Sequence, residues 1–469
     1  ETKMRKVLKY IADHQEQFRE KWFEALRIPS VSALVENKAD IRQMANWLAD
    51  YLQQELRLET TVIPTGGSPL VFARSPKVPG APTLLVYGHY DVQPVDPLDQ
   101  WNSSPFEPEI RDGNVYARGT SDDKGQLLAH VFGAKAFLEG KGEFPVQLKF
   151  IFEGEEEIGS NSLSKFLLKE ENRKLLAADV IVVSDSCMAG PDHPAITYGL
   201  RGVVGFELTL NGANRDLHSG IYGGSVANPA IVLSKMLAAI VDENGRIQVP
   251  GFYDDVLDLD DRERKVIASV PFDEVESLAQ IGLPPSAGVG ETGYTGLERR
   301  CARPSFDING LTSGYQGRGG KTIIPASASA KFTFRMVPNQ SPDKLRKSLR
   351  KFLKNMLPDG MTLKLTCSQG STGMVVPLDS PYMKAASTVL KKTFGNAPSF
   401  IRDGGSIPIV TEMRNQLNAD VLLIGFGLDD DAIHSPNEKY SLKTFYQGIE
   451  ASTLLLASLG KLNQNKRRN

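Results

Sequence analysis

Apolar residues recur along this chain at two spacings, and the switches between them outline its organisation. Over residues 4–26 and 41–56 they fall three and four positions apart, as in Val7, Leu8 and Ile11 or Met44, Leu48 and Leu52, which predicts amphipathic helices. Short unbroken runs then replace the helical period: Thr83–Tyr87 (TLLVY), Val146–Phe152 (VQLKFIF), Val180–Val183 (VIVV) and, far downstream, Val421–Ile424 (VLLI). Runs of this length suit strands buried on both faces, in a mostly parallel sheet covered by helices. From about 205 to 377 the pattern changes again: Val204–Leu210 and Ala330–Met336 alternate, as strands with one wet face do. Helices are expected among them at Ala227–Val241 and Pro342–Met356, the second with Ser341 as cap and Pro342 at its first position. Residues 251–300 are rich in acids and glycine and give little signal, and the tail KLNQNKRRN from Lys461 reads as disordered. The expected fold is an α/β domain, 1–204 and 378–469, interrupted by a smaller α+β domain at 205–377.

A length of 469 residues agrees with two domains. A formal net charge of −2 provides no general attraction to nucleic acid or anionic lipid. No apolar stretch approaches the roughly 20 residues of a membrane span, and the first residues, ETKMRKVLKYIADHQ, hold no apolar core of a secretion signal. The three cysteines, Cys187, Cys301 and Cys367, are far apart and odd in number, which predicts a reducing, cytoplasmic setting.

Each buried run ends in residues that carry chemistry. After TLLVY come Gly88-His89-Tyr90-Asp91; after VQLKFIF, Glu153-Gly154-Glu155-Glu156-Glu157; after VIVV, Ser184-Asp185-Ser186; after VLLIGFG, Asp429-Asp430-Asp431-Ala432-Ile433-His434. Ligands of open parallel sheets bind beyond the carboxyl ends of the strands, so these segments deliver histidines and carboxylates to one edge. A fifth segment, ARGTSDDKG at 117–125, adds acids at the entrance of a helix expected over Gln126–Leu138. Like charges in a partly dry cleft raise one another's pKa, and divalent cations remove that repulsion. Imidazole with carboxylate suits zinc, manganese or cobalt better than calcium. His89, Asp122, Glu157, Asp185 and His434 are more ligands than one catalytic zinc takes while keeping a position open. Two metals sharing one carboxylate fit the set. The register is open by one residue in each acid run, Glu156 against Glu157 and Asp122 against Asp123, with Asp122 preferred.

The same residues resemble the signatures of the M20 co-catalytic metallopeptidases. The motifs are HYD (89–91), RGTSDDKG (118–125), EEEIGS (155–160), SDS (184–186), DLHSG (216–220), KTIIP (321–325), RMVPN (335–339), GGSIP (404–408) and HSPNE (434–438), in order across nearly the whole chain. TYGLRG (197–202) and DLHSGIYGG (216–224) are similar to the dipeptidase branch, with its carnosinases and cytosolic nonspecific dipeptidases, more than to the deacetylase and desuccinylase branch. The resemblance implies that the inserted domain is a lid and dimerisation element. It implies Asp122 as the bridge between two divalent ions, zinc foremost, with His89 and Asp185 on one and Glu157 and His434 on the other. Glu156 would be the general base, and Asp91 would orient His89. His218 would reach the substrate carbonyl from the partner subunit of a homodimer, and Thr322, Arg335 and Ser406 would hold the substrate's carboxylate end.

Singly, these residues have ordinary alternatives: His89 a core histidine, 155–157 a solvated acid run, Asp185 a helix cap, His218 a surface residue, Arg335 a solvent-facing strand residue. Asp429–Asp431 read as loop acids, and His14, His130 and His193 as structural. The function implied is hydrolysis of dipeptides or short peptides by a metal-activated water with a glutamate base. The partners expected are a small peptide substrate and a second copy of the chain, with neither nucleic acid nor membrane. An N-acyl amino acid deacylase or a carboxypeptidase is the alternative on the same scaffold. A binding module without chemistry is the alternative of another class, and it would have no use for a base at Glu156.

Overall fold

The structure, a computed structural model, describes residues 2–462. Most of the tail read as disordered therefore lies outside the described residues. The helical period over 4–26 resolves into two helices, Thr2–Asp13 and Gln15–Leu26, and not one. His14 is the break. It sits at φ −118°, its Nδ1 lies 2.8 Å from the Tyr10 carbonyl, and its ring stacks on Tyr10 with centroids 3.8 Å apart. The Tyr10 carbonyl also accepts the His14 backbone N–H at 3.1 Å, and the Phe18 N–H meets the His14 carbonyl at 3.0 Å, so the break is confined to one residue. The apolar period runs on because both helices bury residues of the same spacing, Val7 and Ile11 before the break, Phe18 and Trp22 after it.

The chain divides into two units, Glu1–Tyr198 with Val376–Ile401 and Glu412–Asn469, and Gly199–Val375 with Arg402–Thr411. The segment Arg402–Thr411 goes with the second unit, tied there by Arg201 Nε to the Gly404 carbonyl at 2.8 Å and by Arg402 to Glu263 at 3.1 Å.

The first unit is built on a sheet whose strands lie in the order Glu59–Ile63, Leu70–Arg74, Gln147–Glu153, Thr83–His89, Val180–Val183, Asp420–Leu423 and Ala195–Leu200. The four strands from Gln147–Glu153 to Asp420–Leu423 are mutually parallel, and the flanking pairs are antiparallel. Every residue of Gln147–Glu153 and Val180–Val183 is buried; the second reads as an unbroken apolar run, while in the first Lys149 is accommodated by donating to the Leu175 and Ala177 carbonyls at 2.8 Å. The helix Lys124–Lys141 is buried along nearly its whole length and packs on Leu442–Leu459. Gly133 permits that approach, since a Cβ there would lie 2.9 Å from the Ile449 carbonyl oxygen. No helix among the described residues is long and apolar enough to cross a membrane.

The second unit holds an antiparallel sheet in the order Ser305–Ser313, Ser327–Met336, Gly202–Asn211, Thr362–Cys367. Alternate residues of its two central strands, Val204, Phe206, Leu208 and Leu210 with Phe332, Phe334 and Met336, form one face of a core. The helices Pro229–Ala238 and Pro342–Lys354 supply Leu233, Met236, Leu345, Leu349 and Leu353 to it. Both helices start as the cap rules require, Asn228 and Ser341 each accepting a backbone N–H and each followed by proline.

Leu349 is fully buried in this core. Leu349→Ala should lower the stability of the second unit by about 2–5 kcal/mol, measured by urea unfolding. A loss below about 1 kcal/mol would show that the helix contributes little to the core.

Candidate metal centre

Strand register brings the candidate ligands together. Thr83–His89 runs parallel to Gln147–Glu153 with His89 opposite Glu153, and parallel to Val180–Val183 with Tyr87 opposite Val183. The chain therefore leaves all three strands at the same end, carrying Asp91, Glu155–Glu157 and Asp185 outward. Asp420–Leu423 runs parallel to Val180–Val183 and feeds the loop of His434 from the same end.

Asp91 organises the first of these exits. Its carboxylate is fully buried, faces His89 Nδ1 at 3.3 Å and accepts the Ser32 hydroxyl at 2.6 Å. It also accepts the backbone N–H of Glu156 at 3.2 Å and of Glu157 at 3.1 Å. One side chain thus orients the imidazole and fixes the turn that presents both glutamates. Such outer partners commonly set the tautomer and aim of a ligating histidine.

Asp122 stands between two groups of donors. Its Oδ1 lies 3.0 Å from His89 Nε2, and its Oδ2 lies 2.8 Å from His434 Nε2. On the first side, Asp185 is 3.5 Å from the same His89 nitrogen. On the second, Glu157 is 3.2 Å from His434 Nε2 and accepts Gln93 Nε2 at 2.8 Å. The sets His89, Asp122, Asp185 and Asp122, Glu157, His434 each have ligand atoms within 4.8 Å of one another, as does a third set, His89, Glu156, Glu157. Asp123, the neighbour left open by the sequence, turns away and accepts the His89 backbone N–H at 3.2 Å. Glu156 is set back, 3.9 Å from His89 Nε2.

The electrostatics are those of a site built for cations. Burial, together with Asp185, Glu157 and Asp122 and against the opposing pull of His89, pushes Glu156 up to about 9. His434 is raised to about 10 by its contacts with Asp122 and Glu157. Burial works against a charged His89, yet Asp185, Asp122 and Asp91 outweigh it and hold its pKa well above the ordinary value. Although surrounded by acids, His89 Nε2 is buried and makes no hydrogen bond among the described residues. Two imidazoles and four carboxylates aimed inward, one nitrogen unsatisfied, fit a pair of divalent ions of the zinc, manganese or cobalt type.

His218, Thr322, Arg335 and Ser406 belong to the second unit. There, His218 and Ile323 pair across a two-stranded ribbon, and the Ser219 N–H meets the Thr322 carbonyl at 3.0 Å. The His218 ring is exposed and its Nδ1 accepts the Gly220 N–H at 3.0 Å, which leaves Nε2 available. Arg335 donates to the Ser406 hydroxyl at 3.0 Å. Sequence reasoning gave no role to Arg201, although it lies in the TYGLRG motif. Arg201 bonds the Gly404 and Arg303 carbonyls, and its own carbonyl accepts the Ser406 hydroxyl. Burial and the neighbouring Arg335 lower its pKa to about 10. Gln93 and Ser32 were also missed; Gln93, two residues after Asp91, was within reach of the motif. Asp431, read as a loop acid, is buried and accepts the Ser121 hydroxyl at 2.8 Å. His130 is structural as expected, buried between Ser184 and Ser452.

The pattern of Peptidase family M20/M25/M40 matches residues 85–458. The chain belongs to this peptidase family. The peptidase is 32% identical to the Cys-Gly metallodipeptidase DUG1 of Saccharomyces cerevisiae over 98% of each chain. It is 30% identical to the human Beta-Ala-His dipeptidase over 98% of this chain and 93% of that one. Among solved structures it is similar to the M20 family metallo-carboxypeptidase Sso-CP2 from Sulfolobus solfataricus, with 34% identity, a TM-score of 0.82, and coverage of 95% of this chain and 99% of that chain. The resemblance to the M20 peptidases, and within them to the dipeptidases, is thereby established.

Gly125 gives the candidate metal centre a sharp test. A Cβ there would lie 1.8 Å from the Thr120 carbonyl oxygen, within the loop that presents Asp122. Gly125→Ala must displace that backbone, and zinc affinity by equilibrium dialysis should fall about tenfold or more, with helical circular dichroism retained. Unchanged affinity would show that the loop can shift without moving Asp122.

Proposed function

We propose that this peptidase is a two-metal dipeptidase in which Glu156 is the general base. The observation that carries the proposal is Asp122, which turns one carboxylate oxygen to the His89 group and the other to the His434 group. In this reading His89, Asp122 and Asp185 hold one divalent ion, and Asp122, Glu157 and His434 the other, zinc being the ion the donors favour. When bound, such ions would supply Lewis-acid chemistry, polarising the scissile carbonyl and acidifying a water molecule. Glu156, close by but held off His89, would take the proton of the attacking water and pass it to the leaving amine. Asp91 keeps His89 and Glu156 in register, since it hydrogen-bonds the backbone of one and faces the ring of the other.

Arg335 and Ser406, joined at 3.0 Å, receive the substrate's terminal carboxylate, and Thr322, next to the His218 ribbon, is assigned to the same carboxylate end. His218 acts from the partner subunit of a homodimer, its free Nε2 directed at the carbonyl oxygen where charge develops. The dipeptide substrate class is supported by the relatives that act on Cys-Gly and β-Ala-His. A carboxypeptidase stands second, supported by the likeness to Sso-CP2. A cytoplasmic setting remains part of the proposal, on cysteine usage alone.

The test is a hydrolysis screen of dipeptides against longer peptides and N-acyl amino acids, run before and after chelation. Dipeptides should be cleaved fastest, chelation should abolish the activity, and zinc, manganese or cobalt should restore it. Faster cleavage of longer peptides would favour the carboxypeptidase; full activity without metal would end the two-metal reading. Glu156→Gln should lower the rate by about 10²–10⁴-fold with metal content unchanged. If metal were lost instead, Glu156 would be a ligand.

His218→Ala should slow turnover and leave metal binding and folding intact. Mixing His218→Ala chains with Glu156→Gln chains should restore up to about a quarter of wild-type activity, because half of randomly exchanged dimers are mixed and each holds one complete site. No recovery after proven subunit exchange would place His218 outside the neighbour's chemistry.

A further inference from the structure

Both loops of the second metal position lack regular secondary structure, and one buried carboxylate joins them. Glu438 is fully buried. Its Oε1 accepts the backbone N–H of Ser121 at 3.1 Å and of Asp122 at 3.0 Å. Its Oε2 accepts the Gly119 N–H at 3.0 Å and Arg118 Nη1 at 2.9 Å. The Glu438 carbonyl accepts the Ala117 N–H at 3.2 Å, and Arg118, itself buried, returns a bond to the Ser435 carbonyl at 3.1 Å. The loop so held contains His434 and Asn437 at φ 59° and 62°, in the left-handed region that is uncommon outside glycine though readily taken by asparagine.

We propose that Glu438 is a positioning residue that latches the Asp122 loop to the His434 loop and thereby sets the affinity of the second metal position. The inference rests on the two-metal reading above. Four donors converge on this side chain, and only a carboxylate has acceptor capacity for all of them without presenting a donor of its own. The two metal positions depend on the latch unequally. Asp122 serves both, but the first position keeps two further ligands that the sheet holds, since His89 ends a buried strand and Asp185 follows one closely. Asp122 and His434 lie on the two latched loops, and Glu157 alone of that group is held elsewhere, through Asp91. Glu438 touches neither substrate nor metal in this account and acts through the ligands it aligns.

The experiment is calorimetric zinc titration of the full chain, wild type and Glu438→Gln, after chelation. Gln keeps the size but turns an amide NH₂ toward converging N–H groups. Wild type should take up two ions. The variant should bind the first within about threefold of wild type and the second about 10–100-fold more weakly, while amides 119–122 exchange faster with deuterium in the metal-free protein. Should Glu438→Gln fail to fold, Glu438→Asp keeps the charge opposite Arg118 and withdraws the carboxylate by one methylene. The same selective weakening, to a smaller degree, is expected of it. Equal weakening of both ions, or a lower melting temperature with both affinities unchanged, would overturn the inference and leave the two-metal reading standing. A wild type that binds no second ion overturns both.

Discussion

The repulsion among Asp122, Glu156, Glu157 and Asp185 is the constraint on which the site depends. Two like charges 4 Å apart repel by about 4 kcal/mol at an effective dielectric near 20, and here several such pairs surround one imidazole. Left to itself the cluster relieves the repulsion by holding a proton, which is why burial and the neighbouring acids raise Glu156 to about 9. A carboxyl group in that state cannot accept a proton at neutral pH. Divalent cations act with the opposite sign to Asp185, Glu157 and Asp122 and lower the Glu156 pKa. In the proposed reading, the ions that would activate the water would also lower the pKa of Glu156, the proposed base.

Such a cluster must be held by rigid neighbours, because its members gain nothing by approaching one another. The parallel strands supply the first restraint through register: His89 opposite Glu153 and Tyr87 opposite Val183 fix where three of the exits begin. Asp91 supplies the second, with Ser32 and two backbone N–H groups satisfying the lone pairs that His89 does not use. Lys124 supplies a third from below. Its buried ammonium donates to the carbonyls of Ala25 and Ile28 at 2.9 and 2.7 Å, joining the helix that follows Asp122 to the end of an earlier one. Each restraint is a buried polar group with its partners in place, the arrangement under which burial of charge is tolerated.

How much of this was legible depended on whether a residue's role is set locally or by the fold. The four parallel strands could be read because a strand buried on both faces leaves no polar alternation, as in Val180–Val183. The residues after them could be read because topology sends every parallel strand out at one edge. Adjacent acids could not be separated, since neighbours such as Asp122 and Asp123 are chemically alike and only the folded turn decides which faces the histidines. The break at His14 was hidden because helices on both sides keep one apolar period. The short helices in 251–300 gave little periodicity, yet their caps were visible: Asp260, Asp273 and the Thr295–Glu298 capping box all lie in the sequence as written. The segment Arg402–Thr411 joins the second unit through Arg201 and Glu263, contacts that leave no mark in composition.

The second unit carries its own unpaired charge. Arg335 lies close enough to Arg201 to disfavour the latter's protonation. Arg201 is spent on backbone carbonyls and Ser305, which locks it in place, while Arg335 makes its bond to the Ser406 hydroxyl. Two guanidiniums held this near each other favour an anion, and a planar carboxylate suits the fork of Arg335. Dipeptides, longer peptides cut at the carboxyl end and N-acyl amino acids all present that group. In the proposed reading, the arginine pair would select for a free terminal carboxylate and be silent on the amine side. Discrimination among the three substrate classes must come from how much room the protein leaves beyond the scissile bond, which is a matter of packing and not of charge.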